Sequence, residues 1–356
     1  MVRTASAPRW PLVVMGIALM AAVLSMAVAV LPDRSDVAVG RVAGAPLLRL
    51  AAGSSGLSAG DGCPASTGRI PLSGGVHLLV HDGVRRSYRL AVPADYDGRF
   101  SYPVVFDFHG FKADAALEDQ RSRLGVAGAG RGFVVVTPDA LGTPRRWNTM
   151  SDPGKADDIG FVDALLTDLA SRFCLDGRRV YATGHSNGAE FAAALVCRSD
   201  RFAAVAMVSS TFEARCPAGR APATMAVHGT ADPSVPYGGG LVVGSSARVP
   251  AALAVIRAYA DRYGCNLTPL TARPAAGIVT RSYIGCAAGG EVLFDTVVGG
   301  THLWPASPEA RRDPHDSAAG RTFDATGAIL DFFTVPGPPN LSPNVAPDGR
   351  LVPPRG

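Results

Sequence analysis

The sequence predicts an α/β fold with a mostly parallel central sheet, helices on both faces of the sheet, and an antiparallel hairpin at the N-terminal end. Short, continuously apolar segments alternate with segments of helical periodicity, a pattern typical of parallel strands buried between helices. Before them, two strand-like segments flank His81-Asp82-Gly83, and an Asp-Gly pair is typical of a tight hairpin turn.

The predicted elements follow one another in a regular order. Apolar or alternating runs predict strands at 76–80, 86–92, 103–108, 133–137, 180–183, 202–208, 224–228, 278–284 and 292–297. Apolar residues at helical spacing predict helices at 117–129, 187–197, 250–263 and 323–333, with one more that begins after a capping Asp157 or Asp158. Pro250 fits the first turn of its helix, where its missing N–H has no consequence.

The N-terminal 32 residues are typical of an export signal. Arg3 and Arg9 precede an apolar run over residues 11–31 that contains small residues. The run is also close to the length that spans a bilayer, so a retained N-terminal anchor is the alternative to a cleaved signal peptide. Both alternatives place the rest of the chain outside the cytoplasm, and we expect an extracellular protein.

Composition divides the remainder of the chain. Residues 33–68 are rich in Ala, Gly and Ser and predict a flexible linker, whereas the Pro-rich residues 336–356 predict a disordered tail. The folded domain is expected between them, over residues 69–335. Six cysteines in an exported chain indicate three disulfides, among about 15 possible pairings.

Charge and motif content argue against several functions. The formal net charge of +4 is spread along the chain without a Lys/Arg run, which gives no indication of nucleic-acid binding. No Cys or His spacing is typical of zinc, and the chain contains no nucleotide-binding loop. We therefore expect no metal, no cofactor and no nucleic-acid partner, with membrane contact only through an uncleaved N-terminal segment.

The segment Gly184-His185-Ser186-Asn187-Gly188 lies between a predicted strand and a predicted helix. G-x-S-x-G in that context is typical of the nucleophile elbow of α/β-hydrolases, where a sharp turn exposes the serine hydroxyl. The flanking glycines keep side chains away from the crowded turn, and the helix N-terminus favours developing negative charge. The pattern predicts Ser186 as a nucleophile.

In this fold the acid and then the histidine follow the nucleophile along the chain. Only His302 and His315 come after Asp232, and His302 follows a strand through a glycine loop, whereas His315 lies in a charged stretch. Asp232 follows the strand 224–228 at its carboxyl end, the edge where α/β sites form. Other acids fall inside elements or nearer the nucleophile: Asp200, Glu213, Asp261 and Asp295. Asp232 and His302 are thus the expected acid and base.

Two backbone N–H groups are expected to stabilise an oxyanion. One belongs to Asn187, directly after the nucleophile, and the other to Phe111, in the loop after strand 103–108. His109 in that loop is expected to be structural. The candidates for substrate binding are Trp147, Trp304 and His185, with core packing as the alternative for the two tryptophans.

Four segments resemble the secreted polyhydroxybutyrate depolymerase and feruloyl esterase family, which is related to the acetylxylan esterases. They are FDFHGF at 106–111, GHSNG at 184–188, HGTADPSVPY at 228–237 and GGTHLWP at 299–305, and the resemblance extends over about residues 76–333. It implies the same triad, and it implies the disulfides Cys197–Cys216 and Cys265–Cys286. Cys63–Cys174 then pair by remainder.

The resemblance implies a serine carboxylic-ester hydrolase that works through an acyl-enzyme. Because no separate polymer-binding domain follows the catalytic unit, we expect soluble or oligomeric esters rather than solid polymer. Feruloyl, acetyl and hydroxybutyrate esters stay open as substrates. The alternatives are a secreted acyltransferase of the mycolyltransferase type, a peptidase, and an inactive binding protein on the same fold.

Overall fold

The computed structural model describes residues 71–287 and 289–334. The predicted signal or anchor, linker and tail lie outside the described residues. We number the strands β1 to β12 and the helices α1 to α7 in chain order. The strands are β1 Gly75–His81, β2 Val84–Ala91, β3 Tyr102–Phe108, β4 Val134–Pro138, β5 Leu175–His185, β6 Ala204–Val208, β7 Ala223–Gly229, β8 Gly240–Leu241, β9 Arg248–Val249, β10 Leu270–Ala272, β11 Ile278–Tyr283 and β12 Val292–Val297.

The helices are α1 Ala115–Ser122, α2 Leu124–Ala129, α3 Asp158–Arg172, α4 Asn187–Arg198, α5 Ala252–Arg262, α6 Ala318–Thr322 and α7 Ala325–Thr334, with a 3₁₀ turn at Ala310–Arg312. Asp157 caps α3, because its carboxylate accepts a hydrogen bond from the N–H of Gly160 at 2.9 Å. Among the described residues, no helix is both long and apolar enough to cross a membrane.

One large sheet carries ten of the strands, in the order β1-β2-β4-β3-β5-β6-β7-β12-β11-β10. The strands from β4 to β12 in this order are parallel, and an antiparallel pair extends the sheet at each end. This confirms the predicted α/β-hydrolase class with its N-terminal hairpin. The hairpin turns at Asp82 and Gly83, both with positive φ, as a tight two-residue turn requires.

The central strands are mostly apolar because both faces of the sheet are covered. On β3, Phe106 and Phe108 pack into one hydrophobic cluster, whereas Val105 between them packs into the cluster on the opposite face. All three side chains are fully buried. Continuous apolar runs, rather than alternation, therefore marked these strands in the sequence.

The predicted helix 117–129 was wrong as a single element. The chain breaks it into α1 and α2 at Arg123, which has a φ of 54°. Ser122 stabilises the break, since its hydroxyl accepts a hydrogen bond from the N–H of Leu124 at 3.1 Å and donates one to Asp107 Oδ2 at 2.6 Å. Sequence reasoning also missed the short elements β8, β9, β10 and α6.

Two disulfides join the ends of helices to nearby loops. Cys197 in the last turn of α4 is bonded to Cys216, and Cys265 just after α5 is bonded to Cys286. These are the two pairs that the family resemblance implied. The third expected pair includes Cys63, which lies outside the described residues.

Candidate active site

Ser186 lies on the turn between β5 and α4 and has φ 53° and ψ −119°. A non-glycine residue rarely adopts a positive φ, so this position stores backbone strain. The turn is held because the N–H of Ser186 donates to the carbonyl of Val208 on β6 at 2.9 Å. A Cβ at Gly184 or Gly188 would overlap the carbonyl oxygen of Phe108, which explains both glycines of the motif.

The structure brings the three expected triad residues together. Nε2 of His302 lies 2.9 Å from Oγ of Ser186, and its Nδ1 lies 2.8 Å from Oδ2 of Asp232. The carboxylate of Asp232 is fully buried, whereas about a fifth of the His302 side chain, 21%, is exposed. This arrangement allows the serine hydroxyl to donate to the imidazole, and the imidazole to donate to the carboxylate.

Asp232 is held in its ionised form. Burial alone would raise its pKa, but hydrogen bonds from His228, His302 and the N–H of Val235 lower the pKa well below its usual value. Its Oδ1 accepts from the N–H groups of Ser234 and Val235 at 2.8 and 2.9 Å. A carboxylate that stays charged and fixed can orient the imidazole and stabilise it when it is protonated.

The loops that carry Asp232 and His302 pack directly against each other. The N–H of Ala231 donates to the carbonyl of Gly300 at 2.9 Å. A Cβ at Gly229 would overlap that same carbonyl oxygen, so only glycine fits there. The close backbone contact fixes the spacing between the acid and the base.

The loop after β3 passes beside the nucleophile. A Cβ built on Gly110 would lie 3.6 Å from Cβ of Ser186, which shows how closely the loop approaches the nucleophile. Phe111 is the next residue of this loop. In the part of the chain that the structure describes, the N–H groups of Phe111 and Asn187 have no hydrogen-bond acceptor. Asn187 begins α4, where the first N–H groups are unpaired by the geometry of a helix. Both groups are therefore available as oxyanion donors, and that role stays a prediction.

The interpretation of Trp147 and Trp304 as pocket walls was wrong. Each is 1% exposed, and each belongs to the hydrophobic core. Nε1 of Trp147 donates to the carbonyl of His109 at 2.9 Å, and its ring stacks on Phe191 at 4.8 Å. Nε1 of Trp304 donates to the hydroxyl of Thr326 at 3.0 Å. With their N–H groups satisfied internally, both rings act in core packing.

His185 also does not line a substrate pocket. Its side chain is buried, with Nε2 2.8 Å from the carbonyl oxygen of His302 and Nδ1 3.4 Å from Nη1 of Arg121. His109 is structural, as expected. Its Nδ1 lies 2.8 Å from the carbonyl of Gly110, and its Nε2 accepts from the N–H of Ala140 at 3.0 Å. Burial lowers the pKa of both imidazoles, which keeps them neutral.

Sequence reasoning missed several polar residues at this site. His228 lies 3.2 Å from Oδ2 of Asp232, and Glu190 on α4 is partly buried, which raises its pKa. The side chain of Asn187 fixes the neighbouring loop, because its Oδ1 accepts from the N–H of Trp147 at 2.9 Å. His228 is the first residue of the segment HGTADPSVPY, which also contains Asp232. This position was the one feature of the sequence that could have indicated a role for His228.

The fold and this geometry define an α/β-hydrolase. Residues 86–255 match the family model Esterase PHB depolymerase, a range that includes Ser186 and Asp232 but ends before His302. The match covers just under half of the chain and confirms its resemblance to this esterase family, and the chain is a carboxylic ester hydrolase.

Curated relatives and a solved structure agree with this family. A probable feruloyl esterase C of Aspergillus niger is 29% identical over 213 residues, which cover 55% of this chain and 75% of the relative. Feruloyl esterase C of Emericella nidulans is 26% identical, with 57% and 72% covered. The acetyl xylan esterase of Aspergillus awamori superposes with a TM-score of 0.50 at 14% identity, with 65% and 94% covered, and shows the shared fold.

Proposed function

We propose that this protein is an exported serine esterase with Ser186 as nucleophile, His302 as base and Asp232 as acid. The observation that carries the proposal is the continuous contact from Oγ of Ser186 through the His302 imidazole to the buried Asp232 carboxylate. The strained position of Ser186 at the start of α4 supports it, because that position exposes the hydroxyl beside a helix N-terminus.

The reaction follows from these positions. His302 Nε2 takes the proton of Ser186 as Oγ bonds to the ester carbonyl carbon, and the N–H groups of Phe111 and Asn187 stabilise the oxyanion. Collapse of this intermediate breaks the bond to the alcohol oxygen, which receives the proton from His302. A water molecule then repeats both steps on the acyl-enzyme and releases the acid and Ser186.

We propose an ester with an aromatic acyl group as the preferred substrate. The Phe111 side chain is 47% exposed, and it belongs to the loop that passes the nucleophile. Lys112 Nζ and Arg146 Cζ lie 5.2 and 5.9 Å from the centre of its ring, and these contacts hold the ring on this loop. An exposed ring in that position offers a stacking surface for a hydroxycinnamoyl group, and the names of the feruloyl esterase relatives agree.

Export is part of the proposal. Two disulfides among the described residues suit an oxidising compartment, and the N-terminal segment has the features of a secretory signal. The expected partners are therefore extracellular ester substrates, including esters attached to polysaccharides.

Ester hydrolysis by the secreted protein tests the function. We would compare methyl ferulate, an acetylated xylan oligosaccharide and a 3-hydroxybutyrate oligomer, with Ser186→Ala as the blank and a sugar acceptor added to detect acyl transfer. We expect the largest kcat/KM on methyl ferulate and free acid as the product. Rates equal to the blank on all three esters would overturn the proposal, and acyl-sugar as the main product would favour a transferase.

The variant Phe111→Ala separates the ring from the backbone, since it keeps the N–H proposed as an oxyanion donor. We expect KM for methyl ferulate to rise by about tenfold, in line with the loss of an aromatic contact, while kcat/KM for a small acetyl ester stays near wild type. An equal loss on both esters would assign Phe111 to the loop conformation and remove the argument for an aromatic acyl group.

A further inference from the structure

A chain of buried polar side chains connects α1 with the backbone of His302. Glu118 is fully buried on α1, and its Oε2 lies 3.4 Å from Nη1 of Arg121, one turn later. The same Nη1 lies 3.4 Å from Nδ1 of His185, whose Nε2 lies 2.8 Å from the carbonyl oxygen of His302. We call these four residues the α1 chain.

The direction of each hydrogen bond in the α1 chain is fixed by chemistry. A guanidinium can only donate, so Nδ1 of His185 must accept from Arg121, and the ring proton must then lie on Nε2. Nε2–H therefore donates to the carbonyl of His302. Burial, together with the guanidinium of Arg121, lowers the pKa of His185 well below its usual value, so the ring stays neutral and keeps this tautomer across neutral pH.

The α1 chain also contacts the loop that carries the proposed oxyanion donor. A Cβ built on Gly110 would lie 3.1 Å from Nδ1 of His185. Gly110 packs against Ser186 and His185, and Phe111 follows it directly. The α1 chain thus contacts both the loop of the proposed oxyanion donor and the backbone of the proposed base.

We propose that Glu118 and Arg121 are positioning residues for ester hydrolysis: Glu118 holds the Arg121 guanidinium, and Arg121 holds the His302 backbone through His185. Neither residue contacts the reacting atoms. This inference rests on the triad of the proposed function.

The surroundings of Glu118 make its charge sensitive to pH. The charged groups that face it are Asp107 on β3, Arg121 on α1 and Glu309 near the 3₁₀ turn. Arg121 also forms a salt bridge with Glu309, with 3.0 Å between Nε and Oε2. Burial raises the pKa of Glu118 to about 7, against the opposing effect of the positive charge of Arg121. Protonation of Glu118 near neutral pH removes the charge that attracts Arg121. Part of the ester-hydrolysis activity should therefore rise with pH in this range, as Glu118 becomes ionised.

The test is Glu118→Gln in the full chain, which keeps the shape of the side chain and removes its charge. We expect kcat for the preferred ester to fall by about tenfold with KM within about twofold, because misplaced donors act mainly on the transition state. The component of the wild-type pH profile near 7 should be absent from the variant. Asp168→Asn is the matched control, since it removes a carboxylate paired with Arg172 on α3, and we expect wild-type kinetics.

A double-mutant cycle tests transmission through the α1 chain. If Glu118 acts partly through His185, the losses in kcat for Glu118→Gln and His185→Phe will combine to less than their product. Where Glu118→Gln does not fold, Arg121→Lys replaces it as the test. Lysine keeps the positive charge at position 121 but lacks the planar guanidinium that donates to two partners at once. A folded Glu118→Gln with wild-type kcat and an unchanged pH profile would overturn this inference alone. Wild-type activity that is no higher than that of Ser186→Ala would overturn the proposed function together with it.

Discussion

His228 Nε2 lies 3.2 Å from Oδ2 of Asp232, the same oxygen that faces His302 at 2.8 Å. His228 is the penultimate residue of strand β7, and its Nε2 also lies 3.0 Å from the carbonyl of Val235. A buried carboxylate needs donors to stay charged, and here a second imidazole supplies one. His228 therefore helps to fix the same carboxylate oxygen that orients His302.

Loss of this second imidazole should weaken the enzyme less than loss of the acid itself. We expect His228→Leu to lower kcat/KM by about tenfold, the effect of losing one hydrogen bond to a charged group. Asp232→Asn should lower kcat/KM by roughly 10⁴-fold, because an amide in place of the carboxylate favours the wrong tautomer of His302. His315→Gln, at an exposed histidine away from the proposed triad, is the control for ester kinetics. Equal losses for the His228 and Asp232 variants would contradict separate roles.

Ser186→Ala and His302→Ala should each lower turnover by roughly 10⁴-fold or more without unfolding the domain. Each removes one member of a unit that acts together, so combining them should cost little more than either alone. Kinetics with methyl ferulate, together with labelling by a fluorophosphonate, provide the measurement. Retained labelling in Ser186→Ala would show that another residue is the nucleophile.

The glycine of α4 that approaches β3 should tolerate no side chain. Gly188→Ala places a Cβ against the carbonyl of Phe108, and we expect a loss of stability of about 2 kcal/mol or more, with activity lost because the elbow shifts. Gly154→Ala is the matched control, since its Cβ would meet only Asp152 Oδ1 at 3.5 Å. Thermal unfolding of both variants checks this, and similar midpoints would show that the elbow can relax.

The buried carboxyls Glu118 and Asp107 should make stability fall as pH rises. Burial raises the pKa of Glu118 to about 7, and burial beside Glu118 raises that of Asp107 well above its usual value. Unfolded, both ionise near pH 4, so between about pH 4 and 7 the folded state binds more protons. Their stabilising contribution is thus present at low pH and lost as pH rises through the folded pKa.

Urea denaturation at pH 5 and pH 8 measures this effect. The wild-type protein should lose free energy of unfolding between pH 5 and pH 8. We expect this loss to be smaller in Glu118→Gln. Asp168→Asn again serves as the control. An unchanged difference in Glu118→Gln would show that the Glu118 carboxyl does not titrate in this range.

Removal of the disulfide at the end of α4 should cost about 3 kcal/mol, the value expected for closing a loop of this size. Cys197 and Cys216 are 19 residues apart, and Cys197 lies on the helix that Ser186 begins. The double variant Cys197→Ser, Cys216→Ser should unfold at a lower urea concentration, and a reductant should lower the wild-type midpoint in the same way. A midpoint that a reductant leaves unchanged would contradict a stabilising role.

The sequence predicted those parts of the site that short motifs specify. Ser186, Asp232 and His302 each follow a predicted strand through a turn rich in small residues, and the structure brings their side chains into contact. The two tryptophans could not be assigned, because a buried ring and a pocket wall have the same local sequence. The break at Arg123 has no local signal either, since arginine is a good helix former and tertiary contacts impose the positive φ.

The α1 chain was beyond local sequence reasoning for another reason. Glu118 and Arg121 lie 64 or more residues before His185, in separate elements, and nothing in a helix of mixed polarity indicates which acid becomes buried. His228 was missed because a histidine at the end of a strand is compatible with many environments. Such residues are identified by the distances that the fold creates rather than by their neighbours in the chain.

The contact between Gly229 and Gly300 has a consequence for how such enzymes can diverge. No side chain fits between these two backbones, so the loops that carry Asp232 and His302 cannot be remodelled independently. The side chain of Phe111 is under no such restriction, because this residue is partly exposed to solvent. Descendants of this chain can therefore change the esters they accept at that loop while inheriting the acid and base as one invariant block.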